Sequence, residues 1–186
     1  MKIIKENIFV FSEKCIAELM VFEEKDKKKW RKLWSSWINL KMGLREYKSR
    51  EPNIPEGLTE TAFCIATGST RAIKISSSHS SFDTYNLKNG KAEQIKACSV
   101  KGDLTSFGPK SEWDDLYFLD FYREGKMDGS FDIYLIPSKL IYSQIMNKGK
   151  KETFRDQQKQ GRRPRFSLKT LIKDKNIKPF KKNVII

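Results

Sequence analysis

The chain has 186 residues, about the length of one domain, and its 38% apolar and 12% aromatic content can fill a core of ordinary size, which excludes a disordered protein. Lys and Arg number 37 against 23 acids, a net charge of +14, so the expected partner is a polyanion such as nucleic acid. Cys15, Cys64 and Cys98 are odd in number and lie among apolar neighbours, and neither a run of about 18 apolar residues nor a secretory leader is apparent; buried thiols in a cytoplasmic protein without a membrane span are expected.

Residues 5–23 set Ile8, Cys15, Ile16, Leu19, Met20 and Phe22 at roughly helical spacing and predict one amphipathic helix. Residues 24–48 place Trp30, Trp34, Trp37, Leu40 and Leu44 in steps of three and four among lysines, which predicts a helix with its indoles on one face, turned into a core rather than toward bases. Pro52 and Pro55 interrupt the chain. A helix is expected from about residue 55 to Gly68, with Glu56 and Glu60 four apart on one face.

Beyond Gly68 the pattern becomes strand-like. Residues 82–87 and 92–100 flank Lys88-Asn89-Gly90, and Asn-Gly between two such runs is a strong hairpin signal. Strands are expected over 116–122 and 131–136; Pro137 stops the second, and 138–147 reads as a short helix. His79, the only histidine, lies in a Ser-rich run and is assigned an ordinary loop role. The order of elements describes an α/β or α+β domain around a mixed sheet flanked by helices. One domain is expected over 1–186, with a helical N-terminal part to residue 50, a catalytic core over 55–147 and a basic segment over 148–186. That last segment holds fourteen Lys/Arg against three acids, which leaves about +3 for the rest of the chain.

Asp83 falls in the first strand of the predicted hairpin. Gln94 and Lys96 fall two apart on the second, so they share one face of the sheet while Ile95 turns to the other. A carboxylate, a second oxygen donor and a lysine brought together in this way suit phosphodiester hydrolysis, which needs a metal to polarise phosphate and activate water and a cation to balance developing charge. Glu93 alternates to the Ile95 side and is read as a structural or salt-bridged residue.

With Phe82-Asp83 followed by Gln94-Ile95-Lys96-Ala97, the chain resembles the PD-(D/E)xK nuclease superfamily, in which an acid precedes an acid-x-Lys triplet on the neighbouring strand. It is most similar there to small type II restriction endonucleases. Two further stretches carry the resemblance: Leu104-Thr105-Ser106-Phe107-Gly108-Pro109 followed by 113–120, and the 154–167 segment, which looks like a DNA-contacting region. The resemblance implies a restriction-endonuclease-like fold and Mg²⁺-dependent cleavage of double-stranded DNA at a short sequence. It implies Mg²⁺ on Asp83, the Gln94 amide oxygen and the Ile95 carbonyl, with Lys96 orienting water. Phe82 replaces the family's Pro, and Gln94 replaces an acid, which lowers the site's charge; Glu60, or less readily Glu56, is expected to compensate.

For DNA contact the resemblance and the chemistry point to Ser106, Gln157, Gln158, Arg162, Arg163 and Arg165, since Arg reads guanine and Gln reads adenine in the major groove. A helix ending at Gly161 would hold the glutamines by the duplex, and the lysines from 173 to 182 would touch only phosphates. A C₂ homodimer is the simplest arrangement for cutting a palindrome, with the Trp-bearing N-terminal helices as candidate interface, and a companion DNA methyltransferase is expected. The competing readings are a repair-type nuclease on the same fold and a non-catalytic DNA-binding module.

Overall fold

A computed structural model of the chain, describing residues 1–76 and 82–186, is organised about an eight-stranded mixed sheet. His79 lies outside the described residues. The first departure from expectation comes at once. Residues 5–23 are not a helix but most of a hairpin, β1 (Lys2–Val10) and β2 (Glu13–Val21), paired in register from Lys2↔Val21 to Val10↔Glu13. The buried residues Ile8, Val10, Cys15, Ala17 and Leu19 recur every second position within each strand, the period of a sheet. The two-residue turn is Phe11-Ser12, both at positive φ (49° and 72°), as the favoured hairpin turn demands. Neither residue advertises that conformation, so the turn left no Asn-Gly mark and the apolar run read as helical.

The expected helix then follows as α1 (Glu24–Glu46), with Trp30, Trp34 and Trp37 buried. The indoles stack on one another and on Phe121, Trp30 and Trp34 at 5.4 Å and Trp34 and Phe121 at 5.0 Å between centroids. They are core, so the tryptophan face is not open to a second subunit. Lys41 on the same helix is fully buried; its ammonium donates to the Ser99 carbonyl at 3.0 Å and meets Glu51 at 3.1 Å. The next helix, α2 (Glu56–Thr67), ends where Gly68 turns left-handed at φ 81°, as expected of that glycine.

Three strands lead from α2 into the centre of the sheet: β3 (Thr70–Ile75), β4 (Thr84–Asn86) and β5 (Lys91–Cys98). The β4–β5 hairpin is present, with the Gly90 N–H closing its loop onto the Asn86 carbonyl at 2.8 Å. After β6 (Thr105–Ser106), β7 (Asp115–Asp120) returns parallel to β5, and β8 (Phe131–Ile136) pairs antiparallel with β7. The expected 138–147 helix is shorter: α3 (Ser138–Tyr142) gives way to β9 (Ile145–Asn147), which pairs with β10 (Glu152–Thr153). Last come α4 (Phe154–Lys159), β11 (Arg165–Phe166), α5 (Leu168–Asp174) and β12 (Lys181–Val184). The large sheet runs β1-β2-β3-β4-β5-β7-β8-β12, and β11 joins β6 separately. Among the described residues no helix is long and apolar enough to cross a membrane.

The two faces of β7 show why its sequence is almost continuously apolar. Tyr117 and Leu119 pack with the tryptophans of α1 and with Leu58, Ala62 and Phe63 of α2. Leu116 and Phe118 pack on the opposite side with Phe107, Trp113, Ile141, Phe154, Leu168 and Leu171. A strand covered on both faces loses the polar alternation of a half-exposed one. This α+β arrangement, a large mixed sheet between two helical layers, agrees with the fold class expected.

Candidate active site

The sheet forks at the centre. β4 begins at Thr84, opposite Glu93, and the Asp83 N–H still donates to the Glu93 carbonyl at 3.0 Å. Beyond that point β5 runs on to Cys98 without a β4 partner on this edge. Asp83 therefore stands one residue before the strand in which it was expected, with its carboxylate in the gap. Its Oδ2 accepts the Ile95 N–H at 2.7 Å, replacing a ladder bond, and also accepts from the Gln94 Nε2. Within β5 a residue's N–H and carbonyl point to the same edge, so the Ile95 carbonyl faces the gap too.

The alternation predicted for the triplet is present. Ile95 is buried in the α1/α2 cluster, while Lys96 on the other face is half-buried with its ammonium 5.5 Å from the centre of the Phe107 ring. Glu93 shares the Ile95 side, is 1% exposed, and accepts from Thr84 Oγ1 at 2.8 Å and Ser69 Oγ at 3.2 Å. It braces the hairpin and takes no part in the gap.

Glu60 reaches toward Asp83 from α2 and is held by the Arg71 guanidinium of β3. Burial pushes the Glu60 carboxyl up to about 7, against the pull of Arg71 and with the Asp83 charge adding to the rise. Burial likewise raises Asp83 to about 6, although the Ile95 N–H and the Lys96 charge oppose it. Glu56 lies close enough for its charge to raise both. Two carboxyls reluctant to ionise, near enough for the Asp83 charge to act on Glu60, mark a place where cationic charge is missing. Among the described residues no point gathers three or more His, Cys, Asp or Glu side chains. A metal here would rest on two carboxylates, completed by amide and carbonyl oxygens.

Residues 22–175 match the Bsp6I restriction endonuclease family. The chain belongs to that family. It is also 30% identical over 161 residues to the type II restriction enzyme Bsp6I of Bacillus sp. (strain RFL6), covering 81% of this chain and 83% of that enzyme. No solved structure gives a significant match. The type II restriction endonuclease expected from the sequence is thereby supported at the level of the family, and the matched residues include the gap and the basic segment as far as residue 175.

In this member of the Bsp6I family, the expected DNA-contacting residues divide in two. Arg162, Arg163 and Arg165 are exposed, on the arm that follows α4; Arg162 meets Glu152 at 3.1 Å. Arg165 pairs in register with Ser106, whose buried hydroxyl has no hydrogen-bond partner among the described residues. Gln157 and Gln158 are different. They are 7% and 8% exposed, and Gln158 Nε2 donates to the carbonyls of Gly108 and Ser111, both at 3.2 Å. The glutamine face of the short α4 turns inward to brace the 107–111 loop, because Phe154 on that helix anchors it in the second core cluster. Arg71 was missed by sequence reasoning. Nothing in Thr70-Arg71-Ala72 distinguishes it from any basic strand residue, and only the meeting of β3 with α2 gives it a partner.

Proposed function

We propose that this enzyme hydrolyses phosphodiester bonds of double-stranded DNA at a short specific sequence, with Mg²⁺ held at the gap where β4 leaves β5. The observation that carries the reading is the Asp83 carboxylate seated on the Ile95 N–H and the Gln94 amide, with Lys96 on the same face as Gln94 and Glu60 at hand. An acid one residue before β4 and a Gln-x-Lys triplet on the neighbouring β5 also support assigning the fold to the PD-(D/E)xK class.

The donors fit the ion. Asp83, Glu60, the Gln94 Oε1 and the Ile95 carbonyl are hard oxygens of the kind Mg²⁺ takes, and the raised carboxyls report an unmet demand for positive charge. Bound there, Mg²⁺ would polarise the scissile phosphate and lower the pKa of the attacking water. Gln94 orients Asp83 by its Nε2 while its Oε1 remains for the metal. Lys96 places a cation where charge develops on the phosphate, and the Phe107 ring, 5.5 Å from its ammonium, helps to hold that cation in position. Arg71 keeps Glu60 in place before the metal arrives.

Arg162, Arg163 and Arg165 are the proposed contacts to bases and phosphates, with Ser106 beside them. Cutting two strands calls for a C₂ homodimer with one gap per strand. A companion methyltransferase in the same cytoplasm would protect the host's own sites.

Plasmid DNA digested with Mg²⁺ should yield discrete fragments, and none with a chelator. Asp83→Ala and Lys96→Ala should each abolish cutting while DNA binding persists. Plasmid left unchanged by folded protein in both Mg²⁺ and Mn²⁺ would overturn the proposal.

A further inference from the structure

A second charged feature lies beside the gap. β7, β8 and α5 line an open cavity of about 900 Å³ that includes Phe118, the residue in register with Lys96 across the β5–β7 pair. Asp120, two residues further along β7, lines it as well. At strand spacings of ~4.8 Å sideways and ~3.3 Å per residue, the backbone of Asp120 lies about 8 Å from that of Lys96.

The ionised groups in the cavity sort into two classes. Asp120 is neutralised by Lys169 at 3.0 Å, and Asp132 by Arg123 at 3.7 Å. Four lysines remain, Lys101, Lys126, Lys173 and Lys182. All are exposed, and none has a side-chain hydrogen bond or ion pair among the described residues. One carboxylate, Glu124, stands against them. They come from a loop after β5, the turn after β7, α5 and β12, so folding alone gathers them. Like charges brought together without partners oppose folding, and an anion relieves that cost.

We propose that this cavity is a phosphate-binding cleft that seats the DNA backbone close to the active-site gap, through Lys101, Lys126, Lys173 and Lys182. The inference rests on the reading of DNA as substrate. Four ammonium groups suit phosphodiester oxyanions as point charges, without the planar fork that would read a base. The cleft would therefore fix the position of the duplex and carry no sequence preference.

The test compares the full-length chain with Lys126→Ala/Lys173→Ala/Lys182→Ala, after circular dichroism and thermal melting have shown both to be folded. Binding of a labelled duplex is followed by anisotropy in chelator across a salt series, and pyrophosphate is titrated by calorimetry. Each phosphate contact contributes ~0.9 to the slope of log K against log salt, so the triple variant should lose about 2–3 from that slope. Affinity should fall by the same factor for unrelated duplexes. Pyrophosphate binding that disappears in the variant while the DNA slope stays unchanged makes the cleft a site for a free phosphate compound and overturns its role on DNA. A variant that matches the parent in both measurements overturns the cleft altogether. A parent chain that fails to bind DNA refutes the substrate reading instead, and the pyrophosphate arm then decides the cleft by itself.

Discussion

Gln94→Glu changes the site by a single atom type and tests the account of the gap from two sides. Gln94 Nε2 donates to Asp83 Oδ2, so the variant replaces a donor by a second carboxylate oxygen facing the first. The lost hydrogen bond to a charged acceptor is worth about 1.5–3 kcal/mol. Two ionised carboxylates at ~3 Å repel by roughly 5 kcal/mol at an effective dielectric constant of 20, a cost the pair reduces by retaining a proton. The metal-free variant should therefore be about 2–4 kcal/mol less stable than the parent at pH 8, a fall in Tm of roughly 4–16 °C for a chain of this size. The deficit should shrink at pH 5, where the pair is protonated. Mg²⁺ should reverse the order, because a third carboxylate joins Asp83 and Glu60; binding at least tenfold tighter, about 1.4 kcal/mol, is expected. Thermal melts in chelator across pH, and calorimetric titration with Mg²⁺, read the two effects separately. Unchanged stability at pH 8, or Mg²⁺ bound no more tightly than by the parent, would refute the placement of Gln94 between Asp83 and the metal.

The carboxyls of Glu60 and Asp83, raised to about 7 and about 6, lie above their unfolded values, so the unfolded chain releases these protons first as pH rises. The contribution of these two groups to metal-free stability should be greatest below about pH 4 and decline up to about pH 7, by on the order of 3 kcal/mol per group, so Glu60→Gln should flatten that part of the pH profile; Mg²⁺ should raise Tm at pH 8 and leave it unchanged at pH 4.5. Gln158→Leu strips the Gly108 and Ser111 carbonyls of their donor and should cost about 1–3 kcal/mol in urea unfolding, without altering the salt slope of DNA binding. Lys41→Ala leaves the buried Ser99 carbonyl without its donor, while Glu51 keeps Arg45 at 2.6 Å, and should cost about 1–3 kcal/mol. Lys41→Met keeps the stem beside Trp37 and should cost distinctly less by the same urea measurement.

Much of the helix and strand order was legible along the chain, because it depends on neighbours close in sequence. The three- and four-residue steps of Trp30, Trp34 and Trp37 describe a buried helical face. Gly68 stops α2, and the alternation through Gln94, Ile95 and Lys96 assigns each side chain to a face of β5. The misread segment, 5–23, is the one whose turn residues, Phe11 and Ser12, adopt positive φ without the usual Asn or Gly. The inward turn of Gln157 and Gln158 was equally invisible, since a six-residue helix shows its buried side only once Phe154 has docked.

The gap around Asp83 belongs to both levels. Its acid and its Gln-x-Lys triplet stand in the sequence at a spacing a hairpin can close. That β4 starts one residue after Asp83, that Arg71 meets Glu60, and that burial raises both carboxyls were decided only when α2, β3 and β5 came together. Side-chain alternation is a local property of the backbone, whereas desolvation and ion pairing depend on which distant segments exclude the water.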